Sequence, residues 1–113
     1  MWLCTQQGFF SIVQKQKNEF HIRARKRRDL DNLSKLGGYQ WEIIRTDQAD
    51  YRFRVVVDQA TVTSVLLNLS EDIDYDNFKS RIHDLPDQKE KTRAYAALWH
   101  DLYDLQKYPV AHK

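Results

Sequence analysis

Residues 10–25 read FSIVQKQKNEFHIRAR, and this stretch decides the fold. Two runs rich in β-branched and aromatic residues, around Phe10, Ile12 and Val13 and around Phe20 and Ile22, flank polar residues 16–19, a connection of hairpin length. Side chains alternate across a strand, so Phe10, Ile12, Phe20, Ile22 and Ala24 share a face that seeks a core. Ser11, Val13, His21, Arg23 and Arg25 share the opposite face. Residues 41–56, WEIIRTDQADYRFRVV, repeat the pattern without a gap. Phe10 falls on Trp41, Ile12 on Ile43, Val13 on Ile44, Phe20 on Tyr51, Ile22 on Phe53 and Arg23 on Arg54. The Ile and Arg pairs alone are identical, so an internal duplication and the shared demands of any hairpin explain the match equally well.

The second hairpin accordingly pairs strands at 41–46 and 51–57 across a turn at 47–50, with Trp41, Ile43, Tyr51, Phe53, Val55 and Val57 inward. Residues 1–5 carry Trp2 and Leu3 and are expected to pack or pair, followed by a turn or bulge at Gln6, Gln7 and Gly8. After the first hairpin, Asp29 is the expected N-cap of a helix with Leu30, Leu33 and Leu36 at helical spacing, ended by Gly37 and Gly38. After the second, Asp58 caps a helix whose Val62, Val65, Leu66, Leu69 and Ile73 recur on one side. Asp74 or Asp76 then opens a short helix bearing Phe78 and Ile82, which Pro86 stops. Asp87 caps a last helix over 88–107 with a stripe of Tyr95, Leu98, Trp99, Leu102 and Leu105. That stripe completes the core, covers the outer sheet face or pairs with another chain.

The expected architecture is therefore a single α+β domain spanning 1–113: a four-stranded, mainly antiparallel sheet built from two ββα units, 1–36 and 41–73, with their helices on one face and two C-terminal helices over 74–107. A chain of 113 residues suffices for one core. With 3 Gly and 2 Pro it is too poor in breakers for a linker or low-complexity protein, and 108–113 is the expected frayed end. No apolar run approaches a membrane span, and the first residues lack the basic and apolar regions of a signal peptide. The lone Cys4 makes no internal disulfide. These features lead to the expectation of a cytoplasmic protein. The formal charge of +2 conceals an asymmetry: residues 1–56 hold 11 Lys/Arg against 6 Asp/Glu, and residues 57–113 hold 7 against 10. Such a split orients a domain on an anionic partner or docks one copy against another.

Met1-Trp2-Leu3, Gly8-Phe9-Phe10-Ser11, Arg23-Ala24-Arg25, Asp50-Tyr51-Arg52 and above all Ile73-Asp74-Tyr75-Asp76-Asn77-Phe78-Lys79 resemble a family of small bacterial proteins of about this length. The resemblance covers most of the chain. It implies a bacterial, cytoplasmic, single-domain protein and brings with it neither an activity nor a catalytic residue.

The leading candidate site is the outer sheet face. Alternation gathers His21, Arg23 and Arg25 from the first hairpin with Arg52 and Arg54 from the second, around Val13, Ile44 and Val56, and Lys26, Arg27 and Arg28 extend the patch from one end. Guanidinium groups on an exposed sheet bind phosphates. Sheets that read single strands also stack bases on exposed aromatic rings, and here Phe9 is the one strand aromatic with outward parity. A solvated basic face explains the same residues. Acids from Glu71 to Asp76 resemble half a calcium loop, but Asn77 stands where its glycine belongs and His83 where its closing carboxylate belongs. His21, His83, His100 and His112 have no metal-ligand spacing. No nucleophile elbow, phosphate-cradling glycine loop or zinc-protease motif is present, and no cofactor is expected. The residues favour a non-catalytic module that binds a protein partner or a second copy of itself. RNA or single-stranded DNA on the arginine face is the alternative, and an enzyme of unnominated reaction a third.

Overall fold

A computed structural model describes residues 1–107; the stretch expected to fray, 108–113, and with it His112, lies outside the described residues. The chain divides into two compact units, Met1–Asp74 and a second that begins at Tyr75.

The first unit is α+β. Its elements are β1 (Trp2–Thr5), β2 (Gly8–Gln16), β3 (Glu19–Ala24), α1 (Arg27–Gly37), β4 (Ile44–Arg45), β5 (Phe53–Val57) and α2 (Gln59–Glu71). The strands form one antiparallel sheet in the order β1-β2-β3-β5-β4. It therefore has five strands where four were expected. The addition is β1, which pairs Leu3 with Phe10 and Cys4 with Phe9. Without it one edge of β2 would present a row of unpaired N–H and C=O groups.

The alternation argued for the first hairpin is observed. Phe10, Ile12, Ile22 and Ala24 are buried on the inner face with Phe53 and Val55, and Phe20 packs against them. Leu30 and Leu33 of α1 and Val62, Val65 and Leu69 of α2 join the same cluster, so both helices cover one face of the sheet. Burying each such side chain contributes roughly 1.5–3 kcal/mol, which holds helices too short to be stable alone. The close approach of α1 is set at Gly8, where an added Cβ would run into the side chain of Asp29.

Several local expectations are corrected. Asp29 is not the N-cap of α1: that position is Lys26, with no side-chain cap, and buried Asp29 accepts from the Phe9 amide at 3.1 Å, tying α1 to β2. The second hairpin is shorter than its sequence suggests. Tyr39 and Trp41 stack face to face, centroids 4.6 Å apart and 5° from parallel, and β4 begins only at Ile44. Trp41 and Ile43 nonetheless pack on the core, as alternation requires. Gly38 closes α1 in the left-handed region at φ 72°, and Asp58 caps α2 by accepting from the Thr61 amide at 2.9 Å, both as expected. Ile73 lies beyond α2 and is 61% exposed, so the buried stripe ends at Leu69.

The two hairpins also differ in register. Ser11 pairs with Arg23 in the first, so a duplication would pair Glu42 with Arg54 in the second; the observed partner of Arg54 is Ile44. The repeat is one of residue pattern and not of strand pairing.

In the second unit, α3 (Phe78–Asp84) is capped by Asn77, which accepts from the Ser80 amide at 2.9 Å, and not by Asp74 or Asp76. A 3-10 turn at Lys89–Lys91 intervenes before α4 (Thr92–Lys107), so the last helix starts four residues later than an Asp87 cap implies. Ile82 and Gln88 are fully enclosed. Among the described residues no helix is long and apolar enough to cross a membrane.

Candidate interaction surfaces

Strand register builds the first surface. Trp2 pairs with Ser11, Ser11 with Arg23, Arg23 with Arg54 and Arg54 with Ile44, so one row crosses all five strands on the outer face. The adjacent row is Val13, His21 and Val56. Ser11 is buried beneath the Arg23 guanidinium, whose Nη2 donates to its Oγ at 2.7 Å. Arg23 Nε is enclosed without a hydrogen-bond partner. Arg54 Nη1 lies 3.2 Å from His21 Nδ1, and His21 Nε2 lies 3.3 Å from Glu19 Oε2. An arginine only donates, so Nδ1 accepts and the ring hydrogen sits on Nε2, facing the carboxylate.

The structure thus brings His21, Arg23 and Arg54 together, as the alternation argument placed them, keeps Arg25 beside Arg23 over the Tyr51 ring, and disperses the rest. Arg25 follows the last residue of β3 and lies 3.6 Å from Asp50 Oδ1. Arg52 precedes β5 and turns to Asp47, 3.9 Å away. Arg45 donates to the same carboxylate at 2.6 Å, and that bond, reinforced by the charges of Arg45 and Arg52, holds Asp47 below its ordinary value. Lys26, Arg27 and Arg28 are exposed at the start of α1, with Arg27 3.8 Å from Asp31. Pairs this exposed contribute little, because water screens them, and leave the cations available to solvent.

Sequence reasoning missed three residues here. Tyr51, assigned inward, is 3% exposed with its ring beneath two guanidiniums, Arg25 at 4.3 Å and Arg23 at 4.6 Å from the centroid. It precedes β5, where the alternation of a strand no longer fixes direction. Ser11 was read as an ordinary outward residue. Trp2 was not given a face at all, because its strand was not assigned. It shares the outer face with Phe9, is 66% exposed, and meets the Phe9 ring edge-on at 6.0 Å. Cys4 lies on the same face, and burial pushes its thiol above the ordinary value, which makes it a poor nucleophile.

The second surface is on α4. Tyr95 is buried beside Phe78, centroids 5.2 Å apart. Beyond it Trp99, Leu102, Tyr103 and Leu105 are 42–55% exposed although they continue the same stripe. Trp99 and Tyr103 stack at 5.2 Å, and the Lys79 ammonium sits 4.3 Å from the Trp99 centroid. The cause is length. By helix rise α3 is about 10 Å long and α4 about 24 Å, so the stripe outruns the helix that covers its start.

No protein-family model, curated protein or solved structure matches the chain.

Proposed function

We propose that the protein is a non-catalytic interaction module that associates with a second copy of itself through α4. The observation that carries this reading is the apolar stripe left exposed along the last two turns of that helix. Continuing from buried Tyr95, half-buried Leu98 and exposed Leu102 and Leu105 are spaced four and three residues apart, the seam spacing of a helix that pairs with another helix. A seam of this kind is complementary to itself, which favours an isologous dimer. It is also short, so the association is weak and depends on concentration.

Sedimentation equilibrium over a range of protein concentrations tests this. The expected result is a mean mass that rises from monomer towards dimer in the wild type and stays monomeric in Leu102→Glu, with unchanged far-UV circular dichroism. Leu102 is 55% exposed, so the variant leaves the fold intact. A wild-type mass that remains monomeric at the highest concentration overturns the reading.

A further inference from the structure

We propose that the outer sheet face binds single-stranded nucleic acid, with a backbone phosphate held between Arg23 and Arg54 and a base stacked on Trp2. This surface is independent of the α4 seam. The inference begins with an unusual pairing: Arg23 and Arg54 are direct cross-strand partners. Like charges in that relation repel, since their Cβ atoms lie about 4.5–5.5 Å apart. Among the described residues no carboxylate sits within ion-pair distance of either guanidinium. Arg23 meets a hydroxyl and an aromatic ring, and Arg54 meets an imidazole nitrogen. The two acids nearby are held elsewhere, Glu19 by His21 and Asp50 by Arg25.

Each guanidinium has five donors, and the contacts above use few of them. One oxyanion placed between the pair would neutralise the repulsion and take several charge-assisted hydrogen bonds. Arg23 is already fixed for that role, clamped on Tyr51 on one side and on Ser11 on the other, so little side-chain freedom is lost on binding.

A phosphate alone would not need the rest of the row. Trp2 lies two strands from Arg23, about 10 Å at ordinary strand spacing, on the same face, exposed and braced by Phe9. That separation suits a nucleotide whose base stacks on the indole while its phosphate reaches the arginines, the arrangement by which sheets bind single strands. Exposed Lys26, the N-cap residue of α1 two positions past β3, adds charge along the path of the backbone. An acidic peptide would use the arginines but has no use for a flat, exposed indole, so nucleic acid is the occupant these observations favour.

The test is fluorescence anisotropy of the full chain with 5′-labelled, mixed-sequence single-stranded RNA and DNA, across a salt series. The wild type is expected to bind one or both, with affinity that falls steeply as salt rises. Trp2→Ala should weaken binding about tenfold. Arg54→Ala should weaken it by a similar factor and lower the salt slope by about one. Arg93→Ala, which removes an exposed cation from α4, should bind as the wild type does, and so should Leu102→Glu. Thermal melts of each variant separate lost binding from lost folding. Absence of binding at low salt overturns the proposal, as does equal weakening by Arg54→Ala and Arg93→Ala. Capture of a labelled polyglutamate peptide in place of the oligonucleotides overturns it too, assigning the face to acidic protein.

Discussion

Asp58 shows how much one residue settles. Its carboxylate accepts from both the amide and the hydroxyl of Thr61, at 2.9 and 2.6 Å, and these bonds hold it below its ordinary value of 3.8. A group whose folded-state value is depressed adds stability that is fully present above the ordinary value and is lost as pH falls through the depressed one. Asp58→Ala should therefore melt below the wild type at neutral pH, with the gap narrowing as the pH is lowered past 3.8; a gap that stays constant in acid would remove the ionised cap from the account. This cap was legible because its requirement is local: an acceptor followed by a helical stripe. Asp29 satisfies the same local pattern and does something else, since its partner is the Phe9 amide, 20 residues away in sequence. Tyr51 was illegible for a related reason. Its neighbours in sequence continue a strand pattern, but its ring goes where Arg23 of β3 and Arg25 just beyond that strand meet it.

Among the elements, the first hairpin and α2 were readable because burial and periodicity coincide over their length. The same holds for α1, whose Leu30 and Leu33 are essentially inaccessible. Leu33→Ala should lower stability by about 2–5 kcal/mol, through lost transfer energy and the cavity left behind, measured by urea unfolding. A change below 1 kcal/mol would mean that α1 packs on another face. β1 was harder to read: four residues give too little alternation to mark a strand, and its existence depends on the free edge of β2. Likewise the number of turns of α4 left uncovered follows from the brevity of α3, a fact about two elements that neither carries in its own pattern. The candidate site divided along the same line. His21, Arg23 and Arg54 followed from alternation within regular strands, whereas Arg52 precedes β5 and turned to Asp47.

For the whole molecule, the two candidate surfaces fall in different units. The basic and acidic halves of the sequence do not coincide with those units: residues 57–74, which carry Asp58, Glu71, Asp72 and Asp74, belong to the first. The arginine row belongs to Met1–Asp74 and the α4 seam to the unit beginning at Tyr75, so loss of one surface need not disturb the other. Every member of the main apolar cluster lies within the first unit. That unit is also fastened at its exit. Gln6 Nε2 donates to the Asp72 carbonyl at 2.6 Å, to the Asp72 carboxylate at 3.1 Å and to the Asp74 carboxylate at 3.1 Å, and Gln7 adds a bond to Asp72 at 2.9 Å.

This fastening has a kinetic consequence. It joins residues 66 apart in sequence, whereas the ladders of β1, β2 and β3 close over short turns. The entropy lost in closing a loop grows with its length, by about 0.6 kcal/mol for each doubling, so local ladders form early and the longest closure comes last. A contact absent from the transition state governs escape from the native state without affecting its formation. Gln6→Ala should therefore leave the refolding arm of a denaturant chevron unchanged and raise the unfolding rate roughly tenfold, in keeping with the loss of a partly buried donor. Slower refolding in that variant would place the clasp in the folding nucleus. If it forms last, Gln6 is the latch that sets how long the folded state of the sheet unit lasts.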